Sequence, residues 1–165
     1  IMDMIAHRAD AHWNENDRVG HPGTFNANPL SAAAGVACLN LIQRGDLNEA
    51  ADLGAIRLKA GLNQTLEDEK VAGFAYGASS IVYVAIGITS PGPDVELSGY
   101  HDELASDNNP DLARFFKLTM LNNGVDTMSG KRFIVSAAHT DVEIDTTIEA
   151  FGKSIREMKH EQVFG

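Results

Sequence analysis

The chain has 165 residues, of which 44% are hydrophobic and 22% charged, a composition typical of a globular domain and not of a disordered chain. Its formal net charge of −10 argues against a nucleic-acid partner, because phosphate backbones are bound by clusters of lysine and arginine. The sequence also contains no apolar run of the length that a membrane span requires, so we expect no membrane association.

The amino-terminal part is predicted to be a short helix followed mainly by loop. Apolar residues recur at helical spacing over residues 1–12, whereas residues 13–23 are polar and contain glycine, with room for one brief strand. We expect no metal site here, because the spacing of three histidines matches no ligand pattern: His7, His12 and His21.

The next stretch reads as a loop that enters a helix. Asn28 is a good N-cap and Pro29 suits the first helical position, so a helix is predicted from Asn28 to about Arg44, with Gly45 ending it. Upstream, Gly23-Thr24 offers a flexible backbone N–H and a hydroxyl, which are simple means of holding an oxyanion such as phosphate. Without further context an ordinary turn is the more common explanation of such a pair.

Two further helices, two strands and a long loop are predicted downstream. Asp46 and Glu49 have the spacing of a capping box, and apolar residues then recur at steps of three and four to about Glu69. The β-branched and aromatic residues from 71 to 88 predict two strands separated at Gly77, the second apolar on both faces and therefore covered on each side. A loop is predicted over 89–107, and a helix from 109 to about 123.

The last part is predicted to be a strand and a helix. Residues 130–138 read as the strand, and Thr140 with Glu143 forms a capping box ahead of a helix with one apolar stripe. Three short strands with helices on one side indicate an α+β layer with a short, mainly antiparallel sheet. The single cysteine, Cys38, excludes an internal disulfide and favours a reducing, cytoplasmic compartment.

Two separated stretches resemble one family. The first is Gly23-Thr24, then Asn28-Pro29-Leu30 and Ala33-Ala34-Gly35, and the second runs from Arg132 to Asp141 and includes Ala-His-Thr-Asp. Together they resemble class III pyridoxal-phosphate aminotransferases, and most of all the glutamate-1-semialdehyde aminomutase branch. The resemblance extends over essentially the whole chain, in the same order.

The resemblance implies the carboxyl-terminal portion of a longer, homodimeric enzyme. Residues 1–28 would end the large cofactor-binding domain and contain the phosphate-contacting loop, 29–45 would form an interdomain helix, and 46–165 would form the small carboxyl-terminal domain. Gly23 and Thr24 would contact the phosphate of pyridoxal 5′-phosphate in the neighbouring subunit. A backbone N–H and a hydroxyl are chemically suited to that contact.

The resemblance also marks Arg132 as a clamp for the substrate carboxylate, since a guanidinium meets a carboxylate with two hydrogen bonds. An arginine on a surface strand is the alternative. In the family the Schiff-base lysine lies upstream of Ile1, so no lysine of this chain is assigned a catalytic role, and the chain alone should be inactive. Lys131 departs from the family, because aminomutase-like members tend to carry an acidic residue near this position.

Three functions remain open at this point. The first is an aminotransferase that moves an amino group between an amino acid or amine and a keto acid. The second is an intramolecular glutamate-1-semialdehyde 2,1-aminomutase, which needs no external keto acid. The third is a non-catalytic remnant of the small domain that acts as an interaction module.

Overall fold

The computed structural model describes residues 2–92, 104, 109–128 and 130–163. It divides into two compact units, residues 1–43 and 44–165. None of the helices within the described ranges combines the length and the apolar character that crossing a bilayer requires. The domain boundaries expected from the family resemblance stay a prediction.

The first unit contains little regular structure before its one long helix. A single 3-10 turn spans Met2–Met4, so the helix predicted over 1–12 is wrong. A π-helical turn spans Trp13–Asp17, so the loop predicted over 13–23 is correct only for residues 18–23, and no strand forms there. The Asn14 side chain bonds both the N–H and the C=O of Arg8, at 3.0 and 2.7 Å. These side-chain bonds take the place of the backbone ladder that a helix over 1–12 would need.

Helix α1 spans Pro29–Ile42 and begins as predicted. The Asn28 side chain accepts hydrogen bonds from the backbone N–H of Leu30 and Ser31, at 2.9 and 3.3 Å. Pro29 occupies the first helical position, where the N–H that proline lacks would have no acceptor within the helix. The helix has no buried residue, although most of its sequence is apolar.

The second unit is built on a three-stranded antiparallel sheet of order β1-β2-β3, which confirms the predicted fold class. Helix α2 (Asp46–Asp68) precedes β1 (Gly73–Tyr76) and β2 (Ile81–Ile86). Helix α3 (Pro110–Asn122) precedes β3 (Arg132–Ile134), and α4 (Asp141–His160) follows. The predicted strand over 130–138 is therefore three residues long. Most of the loop predicted over 89–107 lies outside the described residues.

Helix α2 is tied to the sheet by polar side chains as well as by packing. The Asn63 amide donates to the C=O of Ala75 at 3.2 Å and accepts its N–H at 2.7 Å, which caps the outer edge of β1. Lys59 Nζ donates to the Gly77 C=O at 3.0 Å. Gly77 has a φ of +133°, and a side chain there would collide with the C=O of Ile81, so the β1–β2 turn requires glycine.

The core lies between the sheet and helices α2, α3 and α4. One face of β2 is buried, but on the other Ile81 is 38% exposed and Tyr83 is half-buried, so the prediction of two covered faces is only partly correct. The Phe116 and Phe151 rings meet edge to face, 5.7 Å between centroids, and join α3 to α4. The largest fully buried side chains come from all four elements: Leu58, Leu62, Leu66, Val82, Val84, Ile86, Phe116, Met120, Phe151, Ile155 and Met158.

Candidate functional site

The Gly23-Thr24 pair lies in an exposed turn that leads into α1. The Asn26 N–H donates to the Gly23 C=O at 3.2 Å, and the Asn26 side chain donates to the His21 C=O at 3.3 Å. A Cβ on Gly23 would lie against the amide end of the Asn26 side chain, so any larger residue would displace that side chain from its bond to His21. The sequence folds this way because Asn26 satisfies its own turn while Asn28 starts the helix.

The turn leaves two donors of Thr24 available. In the part of the chain that the structure describes, neither the Thr24 backbone N–H nor its hydroxyl has a hydrogen-bond partner. Both belong to an exposed residue. A phosphate oxygen accepts hydrogen bonds from such groups, so the donor set fits the phosphate of pyridoxal 5′-phosphate.

Arg132 opens β3 and has an incomplete set of partners. Its Nη2 donates to the Met128 Sδ at 2.9 Å, a weak acceptor, and its Nε is buried without a hydrogen bond. Among the described residues no carboxylate forms an ion pair with Arg132. A half-buried guanidinium without a counter-charge fits an anionic ligand better than it fits a purely structural role.

A cavity of about 240 Å³ lies beside Arg132 within the second unit. Its walls come from α2, the segment 125–128, β3 and the start of α4. Apolar side chains form much of the lining, and a few polar groups converge on it, which is typical of a small-molecule site. The lining residues that set the chemical character of the cavity are Leu58, Asp126, Arg132, Val135, His139 and Glu143.

The turn between β3 and α4 places His139 on the cavity wall, and the first turn of α4 places Glu143 there. Thr140 and Glu143 form the predicted capping box, with the Thr140 N–H donating to Glu143 Oε2 at 2.7 Å. The hydrogen bond from the Thr140 hydroxyl, and then that backbone bond, hold the pKa of Glu143 below its usual range. Glu143 is therefore ionised at neutral pH and engaged by the helix start.

His139 is a residue of this wall for which the sequence predicts no individual role beyond its place in the Ala-His-Thr-Asp motif. Its Nδ1 accepts the Ser136 backbone N–H at 3.0 Å. Its position in the sequence could have indicated a site residue, since a histidine directly before an N-cap threonine lies at the junction of a strand and a helix. Its contact with Ser136, however, depends on the turn geometry and not on spacing alone.

Several lysines of the second unit have ordinary partners. Lys59 bonds a backbone carbonyl, and ion pairs join Lys117 to Asp126 at 3.8 Å and Lys153 to Glu149 at 2.8 Å. Across the described ranges no three histidine, cysteine or acidic side chains are grouped as a metal site would require. The expected phosphate contact belongs to the first unit and Arg132 to the second.

Comparison with known proteins links the chain to one group of enzymes. The glutamate-1-semialdehyde 2,1-aminomutase of Methanococcoides burtonii is 28% identical over 94% of this chain, and that of Methanopyrus kandleri is 30% identical over 84%. The chain spans about a third of the length of these curated relatives, 33% and 31% respectively. No family model matches the chain.

Solved structures show the same fold. A glutamate-1-semialdehyde aminomutase from Pseudomonas aeruginosa PAO1 matches 93% of this chain with a TM-score of 0.71 at 19% identity. An omega-transaminase from Sphaerobacter thermophilus matches 87% with a TM-score of 0.70 at 19% identity. A transaminase with pyridoxal phosphate bound matches 89% with a TM-score of 0.65 at 21% identity.

Each of these solved chains is matched over about a third of its length, as the curated relatives are: 31%, 31% and 32%. Sequence and fold therefore agree on the same portion of the same kind of protein. They confirm that this chain is related to the class III pyridoxal-phosphate aminotransferases of the glutamate-1-semialdehyde aminomutase branch.

Proposed function

We propose that the chain is the carboxyl-terminal part of a pyridoxal-phosphate-dependent aminotransferase, which moves an amino group between an amino acid or amine and a keto acid. The observation that carries this proposal is the half-buried guanidinium of Arg132, which forms no ion pair with any described residue and lies beside a cavity, within a fold shared with transaminases. An enzyme of this kind must hold a substrate carboxylate, and Arg132 is suited to do so.

In this proposal Gly23 and Thr24 hold the phosphate of the cofactor bound to the neighbouring subunit of a homodimer. Support comes from the Thr24 N–H and hydroxyl, which lie in an exposed turn and bond no other described residue. When bound, pyridoxal phosphate supplies the electron sink for amino-group chemistry. This chain contributes no catalytic lysine to that chemistry, so activity belongs to the longer protein.

The second candidate is an intramolecular glutamate-1-semialdehyde 2,1-aminomutase, which is the name of the curated relatives. The longer protein that contains this chain should be purified and assayed with and without an external keto acid. An aminotransferase requires the keto acid for turnover, whereas the mutase converts its substrate without it. A longer protein without the visible absorbance of bound pyridoxal phosphate would contradict both and favour the non-catalytic interaction module.

The phosphate contact is tested by Thr24→Val, which removes the hydroxyl and keeps the shape of the side chain. We expect the longer protein to bind pyridoxal phosphate about tenfold more weakly, because one hydrogen bond to a charged group is lost. The measurement is the dissociation constant for the cofactor, taken from its visible absorbance after dialysis. Thr24→Ser is the matched control and should bind normally, and an unchanged constant in the valine variant would remove Thr24 from the phosphate site.

A further inference from the structure

His139 lies on the wall of the cavity that contains Arg132 and directly precedes the N-cap of α4. Its Nδ1 accepts the Ser136 backbone N–H at 3.0 Å and lies 3.2 Å from Ser136 Oγ. A backbone amide can only donate, so Nδ1 carries no proton while this contact exists. The neutral imidazole therefore carries its proton on Nε2.

The Ser136 side chain reinforces this tautomer. Its Oγ accepts the Ala138 N–H at 3.3 Å, which leaves the hydroxyl proton free to point toward His139 Nδ1. Nδ1 then accepts from both the amide and the hydroxyl of one residue. Within the described part of the chain His139 Nε2 has no hydrogen-bond partner, so its N–H is available to a ligand.

We propose that His139 is a specificity-determining residue, which donates its Nε2–H to the same substrate carboxylate that Arg132 holds. The inference rests on the role proposed for Arg132 and adds a second, uncharged donor on the same cavity wall. Arg132 supplies the positive charge. His139 orients the carboxylate, because Ser136 fixes the imidazole ring and the Nε2–H donates best to an oxygen that lies along the N–H direction.

The other charges of the cavity favour a ligand with one carboxylate. The wall also contains Asp126 and Glu143. Asp126 pairs with Lys117 at 3.8 Å, and Glu143 accepts both donors of Thr140. Lys117 compensates the charge of Asp126, but the neutral Thr140 does not compensate that of Glu143. The cavity therefore holds one uncompensated carboxylate beside the Arg132 guanidinium, which favours a ligand with a single negative charge over a phosphate dianion.

The apolar part of the wall indicates what the carboxylate is attached to. Leu58, Val135 and Ile144 line the same cavity, and each is buried. Aliphatic side chains stabilise an aliphatic ligand by removing its surface from water. A cavity of about 240 Å³ has room for a chain of a few carbons, so the inferred class is a short aliphatic carboxylate.

The test uses the full chain labelled with ¹⁵N in its histidine rings, and butyrate as the probe. NMR should show the His139 ring with the proton on Nε2, and both ring signals should shift as butyrate is added. Butylamine, which has the same chain and no carboxylate, should leave them unmoved. His139→Leu should raise the dissociation constant for butyrate about tenfold. His139→Gln should restore part of the lost affinity, because the glutamine amide also donates a hydrogen bond.

The two proposals fail differently in this experiment. If Arg132→Met abolishes butyrate binding while His139→Leu leaves the dissociation constant unchanged, the inference about His139 is wrong and the carboxylate role of Arg132 stands. If neither variant changes binding, or the wild-type chain binds no butyrate, both are wrong. A His139 ring with its proton on Nδ1 would also contradict the inference, whatever the binding. The cofactor is absent from these measurements, so a failure of the phosphate contact does not affect them.

Discussion

The guanidinium of Arg132 has only the Met128 sulfur as a side-chain partner among the described residues, so its replacement removes little that holds the fold. We predict that Arg132→Ala in the longer protein raises KM for carboxylate substrates by about ten- to a hundredfold, because one charge-assisted hydrogen-bonded pair with the substrate is lost. Simple amines, which make no such pair, should show a KM near that of the unaltered enzyme. Steady-state kinetics with a matched amino acid and amine measure both.

An equal rise in KM for the two substrates would show that Arg132 shapes the site without contacting a carboxylate. Arg132→Lys distinguishes charge from geometry. Lysine keeps the positive charge and loses the planar fork, so we expect it to recover only part of the affinity for the carboxylate substrate.

Individual residues were predictable where their role is local. Asn28 and Thr140 cap their helices as expected, because a cap depends on two or three successive residues. Asp46 is the exception: Gly45, with a φ of +84°, occupies the N-cap position of α2, and Asp46 instead pairs with Arg44 at 2.7 Å. The contact between His139 and Ser136 could not be predicted, since only the folded turn creates it.

Among the secondary-structure elements, α2 and α4 are joined at their carboxyl-terminal ends by a network around Glu69. Its carboxylate bonds Arg156 at 2.8 Å and Lys159 at 3.4 Å, and Lys159 also donates to the Glu69 C=O at 2.6 Å. Only 19% of the Glu69 side chain is exposed. The hydrogen bond from Arg156, followed by that from Lys159, lowers the pKa of Glu69 below its ordinary value of 4.5.

We predict that Glu69→Gln lowers the free energy of unfolding by about 1 kcal/mol at pH 7, since both cations are themselves substantially exposed. A carboxylate with a lowered pKa stabilises the fold above its unfolded pKa. That stabilisation is lost as the pH falls from about 4.5 through the lower, folded value. Urea unfolding of the full chain at several pH values should therefore show the difference between the two proteins shrinking below about pH 4.5.

The exposed Glu67 lies on the same helix and provides the control, as Glu67→Gln leaves the network intact. A difference between wild type and Glu69→Gln that persists unchanged at low pH would show that the network contributes through packing and not through charge.

Helices and strands were predictable in proportion to their length. The apolar periodicity of α2 and α4 extends over several turns, and both helices form where the pattern indicates them. The short elements were not predictable in this way. Residues 1–12 have helical spacing, but the amide of Asn14 satisfies the backbone of Arg8 and no α-helix forms. In the predicted strand 130–138, only Arg132–Ile134 pair with β2, because the chain then turns into the cap of α4.

At the scale of the whole molecule, helix α1 stands out because it is apolar and has no buried residue. Leu30 is 81% exposed and Leu39 is 64% exposed. Burying such side chains is favourable by about 1.5–3 kcal/mol each, so we expect α1 to be covered in the longer homodimer that we propose. The sequence indicated this through its resemblance to a family of longer proteins, and the chain does span only about a third of its relatives.

The homodimer proposal makes one prediction that neither single variant can test. Thr24 is proposed to serve the partner's cofactor, whereas Arg132 lies beside a cavity built within its own unit and is expected to serve its own subunit. In a mixed dimer of one Thr24→Val subunit and one Arg132→Met subunit, a twofold arrangement then places both defects in one site and none in the other. We expect such dimers, separated by two affinity tags, to recover about half of the wild-type activity toward carboxylate substrates, because one of two sites is intact.

The assay is run with pyridoxal phosphate near the wild-type dissociation constant, so that a Thr24→Val site stays largely empty. If Thr24 served its own subunit, each site of the mixed dimer would contain one defect, and activity would then stay near that of the two variant homodimers. Cofactor content separates this outcome from simple instability. Under the cross-subunit arrangement one site keeps wild-type affinity for pyridoxal phosphate. One site also keeps wild-type cofactor affinity if Thr24 acts within its own subunit, so cofactor content cannot distinguish the two arrangements. Activity distinguishes them, because the two defects lie in one site under the first arrangement and in different sites under the second.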